Sequence, residues 1–348
     1  MKATGYDAIV LEGCSATPVY LEISDRGVAF KEAAHIWGRD TFQTEDTLLK
    51  EVNEPGAQAV VIGPAGEKQV RFACLGGLCC ITDMDEIIYL NDLCDRLGID
   101  TITAGNLVAL AMDAAARGKA DLSVSYGDAS GAARLLKEMA LREGAGAALS
   151  DGIVPAAAKL GMAQEAVHVK GMEPAGYDPR ILKGVGLGYA TSARGACHMS
   201  AWPVAEEAYG DRDAFTIESK AEFVIGLQHY NALKFSLILC DFWALSFDRM
   251  AELLSFATGE QVTASQLEKA GEAIFNMARL FNLREGFSKQ EDTLPRRIFN
   301  DCLPSGVSEG KRLSEEKFKK MLYQYYQLRD WDNNGVPTAA KLAELGLA

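Results

Sequence analysis

The feature that most constrains the fold of this chain is a change in the spacing of its apolar residues at Gly76-Gly77. Before these glycines, apolar residues form short β-type runs, at residues 8–11, 19–23, 28–30, 59–62 and 70–74. Asp25-Arg26-Gly27 indicates a hairpin turn between two of them, and residues 45–52 fit a short helix on the sheet. After the glycines the period becomes helical. The pattern predicts an α+β fold: a β-rich N-terminal part followed by mostly α-helical domains.

The first helix of the second part places Ile87, Leu90, Cys94 and Leu97 on one face, and the pair Thr82 and Asp85 is expected to cap it. Further helices are predicted at residues 107–114, 135–139, 153–160, 221–239, 267–281 and 318–329. Two long stretches between them, residues 171–201 and 286–312, are rich in Gly, Pro and polar residues. Loops of that length are usually functional or cover a ligand.

Charge and composition exclude several classes of partner. Lys and Arg number 35 against 48 Asp and Glu, so the chain carries a formal charge of -13, which repels nucleic acid and anionic membrane surfaces. The chain shows no apolar run approaching the ~18 residues of a spanning helix, and the N-terminus shows no signal-peptide pattern. Most of the eight cysteines lie in apolar segments, which favours a reducing compartment. We therefore expect a cytoplasmic protein.

The segment from Asp95 to Thr101 ends a helix at Gly98, a residue suited to a left-handed C-terminal cap. Asp100 and Thr101 then present a carboxylate and a hydroxyl beside exposed backbone groups, and such an end can grip a polar heterocycle. The alternative is that Gly98 only stops one helix and that Asp100-Thr101 only caps the next. The residues alone favour this alternative.

The most site-like stretch is residues 184–198, which combine four glycines with Arg194, Cys197 and His198. Arg194 can pair with an anion, and His198 can donate or accept a proton. The glycine spacing is not that of a dinucleotide-binding loop, which also argues against an independent α/β nucleotide-binding enzyme. A glycine-rich loop packed between helices is an equally good interpretation. Cys240, in an apolar segment, is typical of a core cysteine.

Seven stretches, in order along the chain, resemble the tungsten-dependent aldehyde ferredoxin oxidoreductase family. They are residues 5–13 (GYDAIVLEG), 62–67 (IGPAGE), 91–101 (NDLCDRLGIDT), 168–173 (HVKGME), 177–180 (YDPR), 189–198 (YATSARGACH), and 282–287 (NLREGF) with 294–297 (LPRR). The resemblance covers nearly the whole chain. It implies a remnant of a β-rich cofactor-base domain at residues 1–77, a helical domain at 78–210 and a helical C-terminal domain at 211–348.

The resemblance also implies cofactors and the residues that hold them. The cofactor is a bis-molybdopterin carrying tungsten or molybdenum, gripped by helix ends of the pattern Asp-x-x-Gly-Leu-Asp/Cys. Asp95, Gly98 and Asp100 match the first of these ends, and Thr101 follows it. The second end keeps Leu239 and Cys240 without the leading Asp and Gly. Cys240 would also ligate a [4Fe-4S] cluster.

The loop at residues 189–198 resembles the lining of the family's substrate and cofactor cavity. Arg194 is therefore a candidate cofactor-binding residue, and His198 is the candidate proton-transfer group. These roles require an open cavity between the helix end at Gly98 and the loop at His198. If side chains fill that space, the family likeness indicates ancestry without activity.

Two departures from the family pattern bear on activity. By the resemblance, Met1 corresponds to a position inside the family's first domain. The resemblance also implies that a long segment is missing between Cys74 and Leu78, where the family carries a Cys-x-x-Cys-x-x-x-Cys motif that supplies three cluster ligands. A cluster normally needs four thiolates, so Cys240 alone leaves it incomplete.

The resemblance implies oxidation of an aldehyde to a carboxylic acid, with electrons passing through the metal cofactor and the cluster to ferredoxin. The departures support an alternative, a non-catalytic remnant or a subunit that binds a complementing chain. Loss of the internal segment would uncover apolar surface, and exposed apolar patches favour association. We therefore also expect a homo-oligomer or poor solubility.

Overall fold

The computed structural model describes residues 15–59, 61, 72–240, 244–306 and 308–348. The predicted strand at residues 8–11 and the motif stretches at 5–13 and 62–67 lie outside the described residues. Among the helices of the described residues, none is long and apolar enough to cross a membrane.

The N-terminal part contains the predicted hairpin. Strands β1 (Val19–Ser24) and β2 (Gly27–Glu32) pair antiparallel around the two-residue turn Asp25-Arg26. Helix α1 (Thr41–Val52) follows, and its N-terminal cap is the side chain of Asp40. These two strands and this helix confirm the sequence predictions for residues 19–52.

The rest of the predicted β structure is corrected. Residues 72–74 belong to helix α2 (Phe72–Gly76) and not to a strand, because a short apolar run does not distinguish the two by its period. Ala59 and Val61 also lie outside any strand. In the described part of the chain β1 and β2 form the whole sheet, so the structure is mostly helical with a small N-terminal hairpin.

All the predicted helices of the second part are present, but several short helices and the 12-residue helix at Phe247–Thr258 were missed. The helices are α3 (Met84–Leu97), α4 (Thr101–Ala116), α5 (Ala129–Leu141), α6 (Gly146–Leu149), α7 (Ile153–Lys159), α8 (Lys183–Thr191), α9 (Val204–Ala208), α10 (Lys220–Ser236), α11 (Phe247–Thr258), α12 (Ala264–Arg284), α13 (Arg296–Asn300), α14 (Glu315–Leu328) and α15 (Ala339–Leu345). The predicted cap of α3 is wrong: Asp83 accepts from the N–H groups of Asp85 and Glu86.

The glycine-rich stretch, for which a loop was one interpretation, is largely helix α8. Every residue of this helix is buried. The Glu207 carboxylate accepts from the N–H groups of Gly184 at 2.8 Å and Val185 at 3.2 Å, and the Lys220 ammonium lies 2.5 Å from it. A charged side chain thus satisfies backbone donors that the start of a buried helix leaves without partners.

Two large hydrophobic cores organise the helices. The first joins apolar residues between positions 75 and 166, with Leu90, Met112 and Leu136 at its centre. The second joins residues between 169 and 331, including Leu187 and Met321. Burying each such side chain stabilises the fold by about 1.5–3 kcal/mol. The domain boundaries at 77/78 and 210/211 remain predictions.

Candidate functional site

The predicted cofactor-binding residues of the first motif form one corner between α3 and α4. Gly98 ends α3 in the left-handed conformation (φ 73°), and its N–H donates to the Asp95 carbonyl at 3.2 Å. Asp100 caps α4, with Oδ2 accepting from the Thr103 N–H at 2.9 Å, and Thr101 is buried as the first residue of that helix. The structure therefore gives each residue a local role at a helix end.

The loop at residues 168–173 contacts this corner through Glu173. This residue was not predicted as a site residue. Glu173 is buried, and its Oε2 accepts from the Thr103 hydroxyl at 3.1 Å. Burial raises the pKa of this carboxyl above its usual value. Asn106 adds a second tie, with Nδ2 donating to the Pro174 carbonyl at 3.1 Å.

The other end of the same loop is held by a buried ion cluster. The Lys170 ammonium lies 2.9 Å from Asp292 Oδ1 and donates to the Ala190 carbonyl at 2.5 Å. Arg279 and the Tyr326 hydroxyl also donate to the Asp292 carboxylate, at 3.0 and 2.6 Å. Burial opposes ionisation of Asp292, yet Lys170 and Arg279 outweigh it and keep its pKa below the usual range. Lys170 thus links the motif stretch at residues 168–173 to the stretch at 189–198 and to Asp292.

Arg194 and Cys197 lie together on the loop that follows α8. Arg194 is exposed, and its Nη2 lies 2.9 Å from Cys197 Sγ. Gly195 is in the left-handed region (φ 101°), and a Cβ there would lie 2.3 Å from the Val169 carbonyl oxygen. Only glycine allows this approach, so the loop is pressed against the segment that contains Lys170.

His198 is buried in an aromatic cluster instead of facing an open cavity. Its ring centroid lies 5.9 Å from that of Tyr177 and 5.5 Å from that of Trp202. The crevice of about 180 Å³ beside it is nowhere wide enough for a water molecule. Tyr177 also packs against Cys74 and Ile102, next to the first motif. Side chains therefore fill the space immediately around His198.

A second polar cluster holds the C-terminal end of α8. Gln228 Nε2 donates to the Thr191 hydroxyl at 3.0 Å, and Gln228 Oε1 accepts from Tyr325 at 2.6 Å and Arg329 at 2.7 Å. Arg329 Nη1 lies 3.0 Å from His229 Nε2. This cluster ties α8 to α10 and α14, and no sequence motif marked it.

Cys240 is exposed, which corrects its interpretation as a core cysteine. It follows α10, and Leu239 before it is half-buried against a small cluster that contains Met250. Within the described ranges no three His, Cys, Asp or Glu side chains are grouped so that they could hold a metal ion.

The implied tungstopterin and cluster therefore do not fit the described residues as they stand. The crevice at His198 is too narrow, the Asp100 carboxylate is engaged by its own helix, and Cys240 offers a single thiolate.

Comparisons with known proteins bear on the family of this chain. The family model described as "Aldehyde ferredoxin oxidoreductase, domains 2 & 3" matches residues 50–347. The tungsten-containing aldehyde ferredoxin oxidoreductase of Pyrococcus furiosus is 28% identical over 505 residues, covering 100% of this chain and 83% of that protein. The "Aliphatic sulfonate oxidoreductase, WOR-like subunit" of the same organism is 30% identical over 288 residues, covering 77% of this chain and 43% of its own length.

A solved structure shares the fold. It is described as the active site complex BamBC of benzoyl coenzyme A reductase with 1,5-dienoyl-CoA, and one of its chains matches with a TM-score of 0.77 at 16% identity, covering 99% of this chain and 82% of that chain. The family model accounts for most of the chain. The chain therefore belongs to the aldehyde ferredoxin oxidoreductase family.

Proposed function

We propose that this chain supplies the helical domains of an aldehyde-oxidising enzyme and that a second chain must complete the cofactor site. The reaction would convert an aldehyde to a carboxylic acid and pass electrons to ferredoxin. The family match and the name of the Pyrococcus furiosus relative support this reaction class. The completed enzyme would use a tungsten or molybdenum bis-molybdopterin with a [4Fe-4S] cluster.

The observation that carries the proposal is the surface position of Cys240. It lies next to exposed apolar side chains at the end of α10, Phe235 at 39% and Ile238 at 90% exposure. Apolar groups beside a potential metal ligand are typical of a surface that another polypeptide covers.

The length of the alignment supports the proposal that this chain lacks a segment present in its relatives. The match to the Pyrococcus furiosus relative extends over 505 residues, whereas this chain has 348. At least 157 positions of that alignment thus have no residue here. The solved structure that shares the fold is described as a complex, which is the kind of assembly proposed for this chain.

Within such an assembly the predicted residues keep the roles that the resemblance gives them. Asp95, Gly98, Asp100 and Thr101 would hold one pterin, with Arg194 and Leu239 nearby, and Cys240 would ligate the cluster. His198 would move a proton. Its role requires Tyr177 and Trp202 to shift, since both rings now cover it.

The narrow crevice at His198 favours a second candidate, a non-catalytic remnant of the family. In that case the helical domains are retained for a purpose other than aldehyde oxidation. The two candidates predict different behaviour when the missing segment is supplied.

The experiment compares the chain with a chimera. The chimera carries the unmatched segment of the Pyrococcus furiosus relative between Gly77 and Leu78, which are exposed. Both proteins are purified without oxygen from cells given tungstate. Their tungsten and iron contents and their aldehyde-dependent reduction of benzyl viologen are measured. We expect the chain to lack metal and activity and the chimera to gain both.

The matched control is the chimera with Cys240→Ser, which should lose iron while its helical content is unchanged. Activity of the unmodified chain would contradict the need for a second chain. A folded chimera without metal or activity would leave the remnant as the better account.

A further inference from the structure

Within the part of the chain that the structure describes, strand β2 is an open edge on the molecular surface. Residues 28–32 are all exposed, with Val28 at 45% and Phe30 at 70% exposure. Among the described residues β2 pairs with β1 alone. Leu21 is opposite Phe30 and Ile23 is opposite Val28, so these four apolar side chains share one face of the hairpin.

The hairpin turn fixes which backbone groups of β2 point outward. In a two-residue hairpin the pair that flanks the turn, Ser24 and Gly27, exchanges hydrogen bonds, and bonded and non-bonded pairs then alternate. The N–H and C=O groups of Val28, Phe30 and Glu32 therefore face away from β1. Edge strands are commonly protected from pairing by a charge. Here the charge of Lys31 is compensated by Glu22 at 2.6 Å.

We propose that β2 pairs antiparallel with β2 of a second copy of this chain, about a two-fold axis at Ala29. This register sets Val28 of each copy opposite Phe30 of the other and brings the outward backbone groups together. It also places Glu32 of each copy beside Arg26 of the other, so the edge is complementary to itself in charge as well as in shape. The hairpins of two copies then form one four-stranded sheet with a continuous apolar face.

The neighbouring antiparallel registers would pair the two β2 strands less favourably. A shift by one residue would oppose outward-facing backbone groups to inward-facing ones. A shift by two residues would set Val28 opposite the Glu32 carboxylate or Phe30 opposite Arg26, and either shift would remove the paired charges. Charge complementarity therefore selects the register centred on Ala29.

Cysteine cross-linking tests this register. The background protein has the exposed Cys80, Cys240 and Cys302 replaced by Ser. At the axis, the Cα atoms of opposed residues in a non-bonded pair lie about 4.5 Å apart, within the roughly 4.4–6.8 Å range of disulfides. We expect Ala29→Cys to give a covalent dimer on mild oxidation. Lys31→Cys, exposed on the same face, should not, because the two copies of residue 31 would be roughly 13 Å apart.

Charge exchange tests the same contact without a covalent bond. In sedimentation velocity, Arg26→Glu and Glu32→Arg should each weaken the dimer roughly tenfold or more, and the double variant should restore it. Phe256→Glu, at an exposed position on α11, is the matched control and should leave the dimer unchanged. A monomeric protein, a dimer indifferent to both charge variants, or equal cross-linking through residues 29 and 31 would overturn the proposal.

Discussion

The protonation state of the buried His229 follows from its hydrogen bond with Arg329. Arg329 is buried and donates to the Tyr325 hydroxyl, to Gln228 and to the ring of His229. An arginine has no acceptor, so His229 Nε2 must be unprotonated to receive this bond. Burial, followed by the charges of Arg329 and Lys341, lowers the pKa of His229 from 6.5 to about 3.

This shift makes the stability of the protein sensitive to acid. Because the folded-state pKa is below the unfolded one, the unfolded chain binds the extra proton between about pH 6.5 and pH 3. The contribution of a neutral His229 is full above pH 6.5 and falls by up to about 1.4 kcal/mol for each pH unit below it. In urea unfolding, we expect His229→Gln to reduce the stability difference between pH 7 and pH 5 by about 2 kcal/mol.

His35→Gln is the control for that experiment, because His35 is exposed and pairs with Glu51 at the surface. The reduction of about 2 kcal/mol should appear in His229→Gln and not in this control. An unchanged pH dependence in His229→Gln would show that the Arg329 contact does not fix the histidine in solution.

For single residues, helix-end geometry could be predicted from the sequence, whereas burial and exposure could not. The identities of Asp100 and Gly98 predict their helix-end geometry, because capping depends on neighbours a few positions away. The exposure of Cys240 and the burial of His198 depend on residues distant in the chain, such as Tyr177. Glu173 lies in a family-like stretch, but the sequence around Glu173 and Asp292 does not indicate their buried partners, which are at positions 103 and 170.

At the scale of elements, an apolar face alone did not decide which helices were predicted from the sequence. Helix α3 was predicted, whereas α11, with Met250 and Ala251 on its buried side, was not. Helix α3 has polar residues on its outer side and a clear period. Helix α8 is buried on every side and includes three glycines, so it has no polar face to define a period. Helix α2 is five residues long, and an apolar run of that length also fits a strand.

The packing of α2 against α4 gives a prediction for two glycines. A Cβ on Gly105 of α4 would lie 2.5 Å from the carbonyl carbon of Cys74. We expect Gly105→Ala to destabilise the protein by about 1–3 kcal/mol through overpacking. Gly226, in α10, has no atom within 4 Å of the corresponding Cβ, so Gly226→Ala should stabilise by roughly 0.5–1 kcal/mol. Effects of the same sign in urea unfolding would contradict the close contact of α2 with α4.

On the scale of the whole molecule, the two cores of the described residues are joined by polar contacts and by a small apolar cluster in which Tyr177 packs against Cys74 and Ile102. Thr103 donates to Glu173, Asn106 donates to the Pro174 carbonyl, and Arg297 Nη1 lies 3.3 Å from Asp113 Oδ2. Apolar burial supplies most of the free energy of folding, and here it is concentrated within each core. Composition alone gave no sign of where one core ends, because the residues that define a core are distant in sequence.

We therefore expect two transitions in calorimetry, each reporting one core. Leu136→Ala should reduce the unfolding free energy of the first core, and Met321→Ala that of the second core, by about 2–5 kcal/mol each. Each variant should therefore lower the midpoint temperature of one transition. Leu187→Ala distinguishes the core division from the boundary predicted at 210/211. Leu187 packs in the second core with residues of α10 and α14, so its truncation should lower the same transition as Met321→Ala. If it moved with Leu136→Ala, the boundary at 210/211 would describe the cooperative units better, and one transition lowered by all three variants would mean that the contacts between the cores couple them.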